Sequence, residues 1–319
     1  MEQSILRTLA YFDLADYPLT KEELFSYLWQ SPAVSYGVFL DFLNDQNIIQ
    51  EKFGYYFLPG REVTVEKRRE RLLISELKMK LACRAAKKIR AVPFVKAIFV
   101  CNSVGTEQAK AKGDIDFFII TAPGRIWLVR FFTNLILRLW GRRTYGQKTN
   151  NRICLSFYVD SENLDLSGLR AMEDDIHFIY WLHQMVPLYD PENYYAKFSA
   201  ANNWTKKFLP NLKPEVLAGY ISPLTVSKLG RLWKGLWGKM WGGGYGQLLE
   251  NQARQIQQIK LKISLKAKAN QPGNGVVIKD GVLKFHENDR RVGYYEAWKV
   301  ACRNCHSDDE GGIPGRIAS

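Results

Sequence analysis

At 319 residues the chain is long enough for two or three domains with cores of their own, and 46% hydrophobic content without a low-complexity tract excludes a disordered or fibrous protein. A net charge of +13 at pH 7 calls for anionic partners, and a nucleotide, a nucleic acid or an anionic membrane surface would each satisfy it. Five cysteines, an odd number, read as reduced thiols, and Met1-Glu2-Gln3-Ser4 opens an amphipathic pattern unlike a signal peptide, so a cytoplasmic protein is expected.

Leu6, Leu9, Ala10 and Phe12 share one face of a first helix, which breaks near Asp16-Tyr17-Pro18. Thr20 caps a second helix, with Glu23 completing a capping box and Leu24, Tyr27 and Leu28 facing inward. A third helix starts near Ser35 and uses Val38, Phe39, Phe42 and Leu43. Ile48-Ile49-Gln50 and Tyr55-Tyr56-Phe57-Leu58 then flank Lys52-Phe53-Gly54 as a hairpin. Three helices followed by a hairpin resemble a winged helix. That resemblance implies a third helix and wing that touch DNA, but Asp41, Asn44 and Asp45 leave this third helix without the cations phosphates require. A structural or docking role outweighs DNA reading.

Residues 62–90 read as one long basic helix, with Lys67, Arg68, Arg69, Arg71, Lys78, Lys80, Arg84, Lys87, Lys88 and Arg90 along it. Such a run is either a solvated face or a positive wall beside a neighbouring site. The stretch from Phe94 to Thr121 is the most informative in the chain. An apolar strand from Val95 ends at Cys101-Asn102-Ser103, a polar segment runs to Gly113, and a second strand begins Asp114-Ile115-Asp116-Phe117. Because side chains alternate along a strand, Asp114 and Asp116 share a face. Two carboxylates at one sheet edge repel each other, an arrangement that a divalent cation between them would relieve. Oxygen ligands favour Mg²⁺ or Mn²⁺ over zinc.

A strand, a serine-bearing turn, about ten residues and an Asp-apolar-Asp strand resemble the nucleotidyltransferase fold of polymerase beta type. The resemblance implies that Asp114 and Asp116 bind Mg²⁺ and that Ser103, with backbone help from Asn102 and Val104, holds a nucleoside triphosphate. The turn departs from the usual Gly-Ser at Asn102, the residue other than Gly that best tolerates a left-handed backbone. Gly113 likewise stands where a Ser often precedes the acids. Lys110 and Lys112 could add positive charge, with solvent exposure as the plainer reading.

Ile126–Trp140 reads as a core helix, too short and too charged at Arg130 and Arg138 to span a membrane. A loop with Arg142, Arg143, Lys148 and Arg152 leads to the strand Ile153–Val159. There the resemblance implies a third carboxylate acting as base or extra metal ligand, whereas this chain offers Ser156 inward and Asp160 at the strand's end.

From Met172 the chain turns helical, with Ile176, Ile179, Tyr180, Leu182, His183 and Val186 on a buried face ending before Pro187. His177 and His183 do not share a face and read as packed or surface histidines. The run 201–211, together with Tyr11-Phe12-Asp13 and Phe285-His286, is similar to bacterial proteins that join a winged-helix start to a nucleotidyltransferase core. Trp233, Trp237 and Trp241 lie four apart among Arg231, Lys234 and Lys239, which fits a Trp face buried on the domain or laid on an anionic membrane surface. A helix over Leu248–Ala269 and a hairpin around Lys279-Asp280-Gly281 come next. His286, Asp289 and Arg290 could pair with each other or reach a ligand. Cys302-Arg303-Asn304-Cys305-His306 matches the haem-attachment pattern, a chemistry that needs export, so two stray thiols are the plainer reading.

The expected protein is α+β: a small mixed β-sheet nucleotidyltransferase core over 62–170, an N-terminal winged-helix-like domain over 1–61, a mainly helical C-terminal region over 171–306 and a disordered tail over 307–319. Its expected activity is Mg²⁺- or Mn²⁺-dependent transfer of a nucleotidyl group from a nucleoside triphosphate to RNA, protein or a small molecule. The competing expectation is a catalytically degenerate member that binds nucleotide or nucleic acid without turnover.

Overall fold

The computed structural model describes residues 1–213, 224–261, 269–270, 275–286 and 289–307. Helices α1 (Glu2–Asp13), α2 (Lys21–Ser26) and α3 (Tyr36–Asp45) form with short strands β1 (Leu19–Thr20), β2 (Gln50–Lys52) and β3 (Tyr55–Phe57) an N-terminal unit. Its helix starts are set as expected: Thr20 and Glu23 make a reciprocal capping box, and Ser35 Oγ accepts from Val38 N–H at 3.3 Å. The strands form an antiparallel sheet in the order β1-β3-β2. Phe39 and Leu43 face the core of this unit, whereas Val38 is 52% exposed.

The helix α4 (Val63–Ile89) leads from this unit into the main domain. It buries Val65, Ala82, Ala85, Ala86 and Ile89 and turns two of its cations inward. Arg68 grips Glu23 with both terminal nitrogens, donates to the Pro18 carbonyl and lies against the Tyr17 and Tyr55 rings. Lys78 donates to the Gly113 carbonyl at 2.7 Å and to Asn151 at 2.9 Å. The basic run is therefore not a uniform positive wall, because a buried charge must find partners and these two have found them.

The main sheet has the order β7-β4-β5-β6-β9-β8, built from β4 (Val95–Cys101), β5 (Ile115–Thr121), β6 (Ile153–Asp160), β7 (Val186–Tyr189), β8 (Val276–Lys279) and β9 (Val282–Phe285). Only the β5–β6 pair is parallel. Residues alternate between two cores. Ile98, Val100, Phe117, Ile119 and Tyr158 pack with α4 and α6 (Ile126–Leu139), whereas Phe99, Phe118, Ile120, Phe157 and Val159 pack with α7 (Ile176–His183) and α8 (Tyr194–Ala201).

One expectation changes here. Val186 belongs to a strand and not to the end of a buried helix, because α7 stops at His183 and Val186–Tyr189 pairs along β4. The hairpin around Lys279-Asp280-Gly281 forms as expected, as β8 and β9, and β9 also pairs with β6 and completes the sheet, so the region after 171 supplies strands as well as helices. The remaining helices are α9 (Lys228–Met240), α10 (Gly244–Lys260) and α11 (Arg291–Ser307). The expected extension of α10 to Ala269 falls partly outside the described residues, and so does the tail from 308.

The N-terminal unit shares its core with the rest of the chain. Ile179, Tyr180, Phe208 and Trp298 fill its open side, and Trp298 Nε1 donates to the Arg7 carbonyl at 2.9 Å. Among the described residues no helix is long and apolar enough to cross a membrane.

Candidate metal and nucleotide site

The site is assembled where β4 ends and β5 and β6 begin. Cys101, the last residue of β4, lies opposite Asp116. Asn102 then takes φ +55°, the left-handed conformation for which Asn is the best-suited residue after Gly, and the chain enters the single-turn helix α5 (Asn102–Gly105). Gly105 has a steric role, since a Cβ there would stand 3.0 Å from the Gln184 carbonyl oxygen and 3.1 Å from that of Val100.

Asp114 immediately precedes β5, and Asp116 is its second residue. Parallel pairing of β6 sets Cys154 opposite Asp116. One ligand atom each from Asp114, Asp116 and Cys154 lies within 4.8 Å of the others, so the acid pair converges as expected. Sequence reasoning missed the sulfur. The register of a parallel β5–β6 pair would have found it, because that register puts position 154 beside position 116.

Burial, then the charge of Asp114, pushes the Asp116 carboxyl up to about 6, against hydrogen bonds from the Asn102 amide and the Cys154 thiol and the nearby charge of Arg143. The Cys154 thiol is raised still further, by burial and by the two carboxylates. It is therefore protonated at neutral pH and donates to Asp116. Lys78 holds the segment ahead of the acids through the Gly113 carbonyl, and burial lowers its pKa while Asp114 opposes the shift.

A cavity of about 390 Å³ adjoins the cluster, between the sheet, α1, α7 and the start of α11. Asn102 and Ser103 line it together with Phe157, Trp181, His286 and Arg290, among others, while Asp114 and Asp116 lie beyond its wall. Asn102 joins the two spaces, because its Oδ1 accepts from Trp181 Nε1 at 2.8 Å and its amide donates to Asp116.

A bulge in β6 shapes the floor. Asp116 and Phe118, two apart, pair with Cys154 and Phe157, three apart, and the additional residue brings Ser156 to the side chain of His286. Ser156 Oγ and His286 Nε2 are 3.2 Å apart, and among the described residues the buried His286 Nδ1 has no hydrogen-bond partner. Burial first, then the charge of Lys284, lowers His286 to about 4, so the ring is neutral. Asp289 pairs with Arg291 at 2.6 Å and not with Arg290, and Arg291 also holds Asp175 at 2.9 Å, which fixes the start of α11 against α7.

The other expected residues divide. Ser103 lines the cavity, whereas Val104 is buried in the core and Lys110 and Lys112 are exposed, away from the cavity wall. Asp160 lies at the far end of β6, where it caps Glu162 N–H at 3.1 Å and binds Asn163 at 2.7 Å. Six residues of strand, about 20 Å, separate it from Cys154, too far to complete the acid cluster. His177 and His183 are packed as expected, on Tyr11 Oη at 2.8 Å and Thr205 Oγ1 at 2.7 Å. Cys302 and Cys305 lie within α11 beside the N-terminal core.

Two carboxylates and one thiol make a group that could hold a metal ion. Its hard oxygens suit Mg²⁺ and Mn²⁺, and the sulfur would become a ligand only for a metal able to displace the thiol proton. No protein-family model matches this chain, and no curated protein or solved structure matches it either.

Proposed function

We propose that the chain is a divalent-metal-dependent nucleotidyltransferase, a reading carried by the convergence of Asp114 and Asp116 beside the Asn102-Ser103 turn. Asp114 and Asp116 hold the cation, which supplies neutralising charge to a bound triphosphate. Ser103 and the backbone of the turn hold that triphosphate, and the cavity beyond them receives the rest of the nucleotide or the acceptor. In the reaction an acceptor oxygen bonds to the α-phosphorus, the bond to the bridging oxygen breaks, and pyrophosphate leaves. The acceptor's proton passes to solvent. Cys154, already protonated, cannot take it, and among the described residues no third carboxylate lies in the cluster. The fold core of polymerase beta type, with an N-terminal winged helix, belongs to the same reading and is supported by the antiparallel β4–β5 pair, the parallel β5–β6 pair and the β1-β3-β2 sheet.

The thiol beside the acids favours a second reading, a protein that binds metal and nucleotide without turnover. Incubation with each α-labelled nucleoside triphosphate, Mg²⁺ or Mn²⁺, and cell RNA, protein or small acceptors separates the two. Transferase activity predicts metal-dependent label in one acceptor class, reduced at least about 100-fold in Asp114→Ala and Asp116→Ala. Label that persists in both variants overturns the assignment. Calorimetric binding of nucleotide with no label under either metal establishes the second reading.

A further inference from the structure

The helix α9 has a role that nucleotide chemistry leaves unused. One side of it is fixed to the domain. Lys234 donates to the carbonyls of Arg90 at 3.1 Å and Val95 at 2.6 Å and to Tyr189 Oη at 3.1 Å. Trp241 stacks on Phe132 with centroids 5.6 Å apart, and the Arg125 guanidinium holds the carbonyls of Trp241 and Gly242. Of the three tryptophans spaced four apart, Trp237 and Trp241 thus turn towards the protein, in contact at 4.5 Å.

The opposite side is apolar and uncovered. Leu229, Leu232, Leu236 and Met240 recur at helical spacing with exposures of 80%, 71%, 54% and 53%, and Trp233 beside them is 49% exposed. Because the inward contacts set the helix's rotation, this stripe cannot turn into the core. Lys228, Arg231 and Lys239 are exposed along its margin, and no Asp or Glu occurs from Leu224 to Leu249. An apolar stripe bordered by cations alone complements a surface that offers hydrocarbon beneath a layer of negative charge. A neutral protein groove would supply the first but not the second.

We propose that α9 docks the protein on an anionic lipid surface, with the leucine stripe below the headgroups and Lys228, Arg231 and Lys239 on lipid phosphates. Trp233 enters the interface at the edge of the stripe. The protein lies on the bilayer and does not span it.

The test is co-sedimentation and flotation of the full chain with vesicles of phosphatidylcholine alone and of phosphatidylcholine with about 30% phosphatidylglycerol. The proposal predicts binding to the anionic vesicles at least about tenfold tighter than to the neutral ones, weakening with salt, with a blue shift of tryptophan emission. Leu232→Asp with Leu236→Asp lowers the binding at least about tenfold, and Lys228→Glu with Lys239→Glu removes the preference for anionic vesicles. Each substitution lies on an exposed position, and unchanged circular dichroism checks that folding is intact. Equal binding to both vesicles, or binding untouched by the leucine substitutions, overturns the proposal. So does a concentration-dependent dimer abolished by those same substitutions, which would assign the stripe to a second copy of the chain.

Discussion

Substituting Asp116 by Asn isolates the electrostatics of the site from any turnover. The carboxyl rises from 3.8 to about 6 because burial and Asp114 both oppose its charge. A folded-state value above the unfolded one means that the native state binds the proton more tightly, so the associated stability is complete below about pH 3.8 and is lost as pH rises through about 6. At about 1.4 kcal/mol per pH unit the loss approaches 3 kcal/mol at pH 7.5. Asp116→Asn is nearly isosteric and carries no charge. Without metal at pH 7.5 the variant should therefore be more stable than the wild type by about 1 to 3 kcal/mol, roughly 5 °C in Tm, and the difference should vanish by pH 4. Mn²⁺ at millimolar concentration should raise the wild-type Tm and leave the variant's unchanged. Differential scanning fluorimetry over pH 4 to 8, with and without Mn²⁺, reads all three. A variant less stable than the wild type at pH 7.5 would refute the reasoning, since it would mean that the carboxylate is already compensated by groups of the protein.

Individual contacts carry further consequences. Lys78→Met removes the ammonium that bridges the Gly113 carbonyl and Asn151, leaving that carbonyl the longer bond from Asn151 N–H at 3.3 Å, and chemical denaturation should show a loss of about 1 to 3 kcal/mol with weaker Mn²⁺ binding. Asn102→Ala strains a left-handed residue and removes the acceptor for Trp181, for a loss of about 2 to 3 kcal/mol by the same measurement, whereas Asn102→Gly should recover the backbone part. Burial lowers His177, His183 and His286 each to about 4, so the native state favours their neutral forms, and stability should fall as pH drops from about 6.5 towards 4. Histidine ring chemical shifts should stay those of neutral imidazole at pH 5. Cys154→Ser should leave Mg²⁺ affinity within about threefold, because a protonated thiol serves Asp116 as a donor and a hydroxyl can do the same, while selectively weakening thiophilic metals.

The residues that announced the site did so through local rules. Asp114 and Asp116 share a face because of strand alternation, and Asn102 accepts the left-handed turn because of its own side chain. The capping box at Thr20 was legible for the same reason, since it depends only on residues within a turn. What stayed hidden depends on partners far along the chain. Cys154 joins the acids through strand register, Lys78 leaves its basic helix face for a carbonyl presented by another segment, and His286 reaches Ser156 because a bulge turns that serine towards it. Val186–Tyr189 became a strand because β4 offered it an open edge, a tertiary demand that overrides the local apolar pattern.

If Asp114 and Asp116 hold one divalent cation next to the Asn102-Ser103 turn, anomalous diffraction from crystals grown with Mn²⁺ and a non-hydrolysable nucleoside triphosphate will show it directly. The predicted result is a manganese peak about 2.2 Å from an oxygen of each aspartate, with phosphate density reaching Ser103. A nucleotide bound elsewhere, with no anomalous peak between the two carboxylates, would contradict it.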